Sequence, residues 1–437
     1  MANPNGIAPV LLAISIVLLA AKLGGALAVR LQQPAVLGEL LIGIVLGNVA
    51  LLGFQGFEFL RPPPAQGQAV RNVVPDSAAT TLDTLARIGV IILLFEIGLE
   101  SRFSEFRRVA KSAVLVAILG VTASLLLGWL VGRLVLPQHP WQVRLFIAAA
   151  ICATSVGITA RVLKDLGRLD ILESRIILGA AVIDDVLGLI VLAVVEAIVV
   201  HGSADAGEIL LIVAKAAGFL IGAIWLGRWL GPLLFRFASL LRVHGMLVAT
   251  VFVFCFLLAW CASLAGLDPI IGAFAAGLIL DEREFKAAVP AGERSLEDLV
   301  FPLSALLVPI FFVMMGFQVD VRDFLNPSVL TLGGAITLAA ILGKQACRLG
   351  VLERGASRRI VGFGMIPRGE VSLILAAVGR GLQIDGRPVV DSAAYAAILA
   401  MVILTTLVTP PLLSWSLRSQ SVRAQRAPRR AGPDPAQ

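Results

Sequence analysis

Two adjacent carboxylates, Asp184 and Asp185, lie in Gly179-Ala-Ala-Val-Ile-Asp-Asp-Val-Leu-Gly188, with apolar residues on both sides. A carboxylate at the centre of a membrane helix costs about 2.5–3.5 kcal/mol on insertion scales, so such a pair persists only with partners or a task. Adjacent helical positions differ by about 100°, so the two carboxyl groups point apart. One can face a cavity while the other pairs with a cation on a neighbouring helix. Lys344, in Ile341-Leu-Gly-Lys-Gln345, is the cation that can approach Asp184. The plainer reading is an ion pair that only holds a bundle together, but an unneeded pair is usually replaceable by apolar residues without loss. Reversible cation binding fits these groups. Na⁺ is a hard cation that prefers oxygen ligands, and burial disfavours the charged form of a carboxyl group, so protons compete for the same site. Such competition gives exchange without a separate proton path. Thr154 and Ser155, in Ala153-Thr-Ser-Val-Gly157, are candidates for further oxygens or, equally, for caps of a frayed helix.

Other polar residues speak more softly. Glu39 and Glu96 are expected to line a cavity or to pair with Arg87, and Glu100 to be interfacial. Arg368 and Glu370 are two positions apart and are expected to neutralise one another. His139, His201 and His244 lie near loop ends, which argues against a metal centre of the histidine type. The four cysteines show no metal-like spacing and read as small packing residues.

The elements that position these groups follow from composition. Of 437 residues 58% are apolar and 15% charged, with a mean hydropathy of +0.93. A soluble domain of this size would leave much of that apolar surface in water; a bilayer accepts it as helices of about 20 residues. About 13 spans are predicted, near 7–29, 35–53, 82–99, 110–136, 142–163, 173–200, 207–230, 244–265, 268–280, 296–317, 328–348, 359–380 and 393–416. The net charge of +7 sits mainly in short connections, which the positive-inside effect explains better than nucleic acid does. An extracellular amino terminus and a cytoplasmic carboxy terminus put roughly two dozen basic residues inside and about five outside. The first apolar run is expected to be retained. Residues 419–437 are expected to form a disordered basic cytoplasmic tail, with no nucleotide-binding domain after it.

The fifth and twelfth spans are not plain apolar helices. The fifth carries Thr154 and Ser155 at mid-depth, and the twelfth carries Gly364-Met-Ile-Pro-Arg-Gly-Glu370, where Pro367 removes a backbone donor. Each reads as an interrupted helix. Their odd separation in span order reverses direction across the membrane, so spans 4–6 and 11–13 are expected to be two inverted three-helix units with broken crossing helices.

These stretches resemble the monovalent cation:proton antiporter-2 family within the sodium/proton antiporters. The resemblance rests on Gly38-Glu39 through Gly47, the pattern at 94–100, Thr154-Ser155 with Gly157, Asp184-Asp185, Gly272 through Gly277, Pro309 with Gly316, Lys344, and Arg368-Gly-Glu370, in family order over about residues 7–416. It implies an all-α integral membrane protein, a homodimer, in the cell (inner) membrane. The implied transmembrane antiporter domain covers 1–418, with a core near 110–200 and 328–416, a scaffold and dimerisation part near 7–99 and 244–317, and a linking helix near 207–230. The core would slide in an elevator-like motion. Asp185 would carry the Na⁺ (or Li⁺) and the proton, and Asp184 would pair with Lys344. No cofactor is implied, and the protein would be a transporter and not an enzyme. Asn48 stands where the family often has proline. Alternatives are a K⁺/H⁺ antiporter, a sodium-coupled symporter, a cation channel and, from another class, an intramembrane aspartyl protease, whose two carboxylates would need to converge on one water.

Overall fold

A computed structural model describes residues 7–49, 78–99, 103–201, 246–280, 296–322, 326–384 and 386–426, and scattered positions from 207 to 229. Among these the chain is almost entirely helical. The helices are α1 (Ile7–Arg30), α2 (Ala35–Asn48), α3 (Ala78–Leu99), α4 (Phe103–Val135), α5 (Trp141–Ala150), α6 (Val156–Asp165) and α7 (Leu172–His201). They continue as α8 (Met246–Leu264), α9 (Pro269–Ile279), α10 (Leu296–Phe317), α11 (Pro327–Gln345), α12 (Arg358–Gly364), α13 (Glu370–Gly381) and α14 (Ser392–Arg426). Seven described helices are long and apolar enough to cross a bilayer. One departure from the all-helical expectation is a two-stranded antiparallel hairpin, β1 (Gln383–Ile384) with β2 (Arg387–Pro388), turned at Gly386 with φ +75°.

The last helix runs past the expected start of the tail. It continues to Arg426 and does not end near 418, because Ser-Gln-Ser-Val-Arg-Ala-Gln contains no breaker before Pro428. Pro410 and Pro411 are inside it, and Thr409 Oγ1 just before them donates to Thr405 O at 2.7 Å. Sequence also fixes helix starts. Asp268 and Asn326 cap α9 and α11 through the backbone N–H two residues on, each with proline at the first helical position.

Packing sorts the helices into two groups. The first comprises α1, α2, α3, α8, α9 and α10, and the second α4, α5, α7, α11, α12, α13 and α14. Short α6 touches members of both. Within the first group small residues let backbones meet. A Cβ built on Gly43 would come 2.2 Å from Val313 O, on Gly316 2.2 Å from Leu40 O, and on Gly277 2.1 Å from Phe95 O. Any larger residue there would have to push two helices apart. Leu11, Leu19, Leu23 and Leu27 on the outer face of α1 are more than half exposed, as befits lipid or another apolar surface.

Candidate ion-binding site

α5 stops at Ala150 and α6 begins at Val156; α12 stops at Gly364 and α13 begins at Glu370. Both predicted interruptions are present, and the two gaps are bonded to each other. Ser155 N–H donates to Pro367 O at 2.8 Å, Thr154 Oγ1 to Met365 O at 3.2 Å and Thr159 Oγ1 to Gly364 O at 2.6 Å. The close approach requires Gly369, since a Cβ there would lie 2.6 Å from Ser155 Oγ. Thr405 and Thr406 of α14 bind the amide and the carbonyl of Arg368. Unwound backbone is tolerated at membrane depth only where protein satisfies it in this way.

α7 passes this crossing and brings Asp184 to it. Asp184 Oδ2 accepts from Thr154 N–H at 2.6 Å, and Oδ1 accepts from Lys344 Nζ at 2.7 Å. Both side chains of the ion pair are fully buried. The approach of Lys344 to Asp184 expected from the sequence is therefore realised in geometry. The Thr154 amide also stands at the amino end of α6, where a helix carries partial positive charge.

Arg368 is buried as completely as Lys344. Its guanidinium donates from Nη1 to Met365 O (3.3 Å) and Thr154 Oγ1 (3.5 Å), and from Nη2 to Ala340 O (3.1 Å) and Ser124 Oγ (3.4 Å). Its fork thus ties both helix gaps to α4 and α11. The side chain of Glu370, its expected partner, lies outside the described residues, as does Glu100.

Asp185 is 7% exposed. It lines a cavity of about 10 Å³, the space of a single water-sized sphere, together with Thr154, Ser155, Gly369 and, from the start of α9, Asp268 and Ile270. The structure thus brings Asp184, Asp185, Thr154, Ser155, Lys344 and Arg368 to one centre. Asp268, the first residue of the span expected near 268–280, also reaches it.

Glu96 and Glu39 sit elsewhere, around α6. Lys164 Nζ is 2.8 Å from Glu96 Oε1, and Ser304 Oγ donates to Glu96 Oε2 at 2.6 Å. Arg161 reaches Glu39 Oε1 at 3.4 Å and Asp165 Oδ1 at 2.9 Å, while Asp165 Oδ2 accepts from Val36 N–H at 3.1 Å. The expected partner Arg87 is instead ion-paired one helical turn away with Asp83, at 2.9 Å. Among the described residues no cluster of histidine, cysteine and carboxylates suits a tightly held metal.

Interrupted helices crossing at a buried charged centre define a membrane carrier, a class in which the backbone gaps and the charges work on a transported solute. The chain belongs to the sodium/hydrogen exchanger family, whose transmembrane model matches residues 15–418. It is 36% identical to the high-affinity Na⁺/H⁺ antiporter NhaS3 of Synechocystis, over 99% of this chain and 94% of that protein. It is 34% identical to the Na⁺/H⁺-K⁺ antiporter GerN of Bacillus cereus, over 92% of this chain and 95% of that one. Its fold is that of the sodium proton antiporter MjNhaP1 of Methanocaldococcus jannaschii, with a TM-score of 0.62 at 18% identity, covering 95% of this chain and 98% of the other.

Proposed function

We propose that the chain exchanges Na⁺ (or Li⁺) for H⁺ across a membrane, with Asp185 as the group that holds either cation or proton. One observation carries the reading: Asp185 faces a small cavity between the two helix gaps, whereas Asp184 is already neutralised by Lys344. Asp184 and Lys344 then keep the centre ordered, and Asp185, at the cavity wall, is the carboxyl group that exchanges its occupant. Ser155 supplies a further oxygen at the cavity wall. The Thr154 hydroxyl joins the two gaps, so its contribution to the ion is secondary.

The second helix group with α6 is the moving core, and the first group the scaffold that meets a second copy in a homodimer. An elevator-like slide of core against scaffold turns the Asp185 cavity from one face of the membrane to the other. Basic residues favour an extracellular amino terminus; α6 then ends on the cytoplasmic side and α9 begins on the outer side. Neither a cofactor nor a catalytic residue enters this cycle. The K⁺/H⁺ reading stays in the test because the relative GerN carries K⁺ in its name.

The test is purified protein in proteoliposomes, with internal pH recorded as Na⁺, Li⁺ or K⁺ is added outside. Na⁺ and Li⁺ are expected to alkalinise the lumen of vesicles preloaded with acid, and Asp185→Asn to abolish the response. Silence with every cation defeats the proposal.

A further inference from the structure

We infer that Asp268 is the scaffold's own contribution to the ion site, raising the affinity for Na⁺ on one membrane face only. The inference rests on the assignment of Asp185 as ion carrier. The cavity has two kinds of wall. Asp185, Ser155 and Gly369 belong to the helix group built around the crossing, whereas Asp268 and Ile270 open α9, which packs on α3 and α8. That second wall is fixed. A Cβ on Gly272 would lie 2.3 Å from Leu258 O, and one on Gly277 2.1 Å from Phe95 O, so α9 is seated backbone to backbone on its neighbours.

A plainer role for Asp268 is visible: Oδ1 accepts from Ile270 N–H at 2.9 Å and caps α9. Capping needs only one side-chain oxygen and no charge, and asparagine caps as well as aspartate. The second carboxyl oxygen is therefore surplus to the cap, and the group borders the same water-sized space as Asp185. Arg87, ion-paired with Asp83 and with its side chain 63% exposed, lies within electrostatic reach of Asp268. Two carboxylates bordering one small cavity attract a hard monovalent cation more strongly than one does. When the core slides, Asp185 leaves and Asp268 stays. The second charge then acts on the ion only while the site opens toward the start of α9.

The charge and the cap are separated by Asp268→Asn, with Asp268→Glu as the charge-retaining companion. Oriented proteoliposomes are assayed for the apparent Na⁺ KM from each face, beside Asp185→Asn. Asp268→Asn is expected to raise the Na⁺ KM about threefold or more on the α9-start face. The other face should be unaltered, the maximal rate should hold to within about twofold, and Asp268→Glu should restore part of the loss. An asparagine variant with the wild-type KM on both faces, or an equal rise on both, overturns the inference while an inactive Asp185→Asn leaves the exchange reading standing. Active Asp185→Asn overturns both.

Discussion

Lys344 Nζ lies 2.7 Å from Asp184 Oδ1, with neither side chain exposed to solvent, 160 residues apart in sequence. In surroundings without water such a pair contributes little net stability when intact, yet removing one partner strands the other charge. Lys344→Met alone is expected to destabilise the protein by about 3–5 kcal/mol. The double change Lys344→Met with Asp184→Leu should recover most of that loss. Thermal unfolding in detergent measures both; a double variant no more stable than the single one contradicts this account.

Glu96 and Lys164 join α3 of one helix group to the end of α6 at 2.8 Å, with Glu96 nearly buried and Lys164 about one-fifth exposed. Reversing either charge sets like charges against each other at a half-buried contact, at a cost of about 3 kcal/mol. Glu96→Lys and Lys164→Glu are each expected to slow exchange at least about tenfold. Combining them should return the rate to within a few-fold of wild type. Initial rates of Na⁺-driven pH change decide it, and a combined variant as slow as either parent disproves the contact's importance.

Arg368 reaches acceptors on both helix gaps, on α4 and on α11. Lysine retains the charge but loses the planar fork. Arg368→Lys is therefore expected to cost roughly 2 kcal/mol of stability and to lower the maximal exchange rate more than it changes the Na⁺ KM. Should the KM alone move, the arginine acts on the ion and not on the frame.

Competition for one carboxylate fixes the sign of a pH effect. As pH falls, protons occupy more of Asp185, so the apparent Na⁺ KM rises, by up to about tenfold per pH unit where protonation dominates. Saturating Na⁺ should restore the rate. The test is a series of Na⁺ titrations at stepped pH. A KM indifferent to pH would falsify single-site competition.

The charged centre was legible in the sequence because hydrocarbon makes every ionisable residue conspicuous. Asp184, Asp185 and Lys344 stand alone in long apolar runs, and Pro367 with its flanking glycines marks an interruption directly. The pairing of charges near helix ends was harder to read. There lysine and arginine are common, several carboxylates compete, and the choice depends on how helices rotate against one another; Arg87 with Asp83, and Glu96 with Lys164, illustrate this. Asp268 was hidden for another reason. Its cap to Ile270 accounts for it locally, and only the tertiary fold brings it to Asp185. Asn48 shows a departure from the family pattern put to use. Its amide donates to Ile44 O and Val319 O and its oxygen accepts from Val321 N–H, tying α2 to the chain beyond α10.

Glycine contacts such as Gly43 with Val313 and Gly316 with Leu40 press main chain on main chain, and a shift of even one ångström would drive atoms into one another. By contrast α6 meets α3 largely through the tips of side chains, where Gly157 faces only Val90 and Leu94 methyls. Methyls can glide; carbonyls locked against helices cannot. In the proposed slide, once the Glu96–Lys164 pair parts, this methyl-lined face of α6 resists displacement less than the glycine seams do.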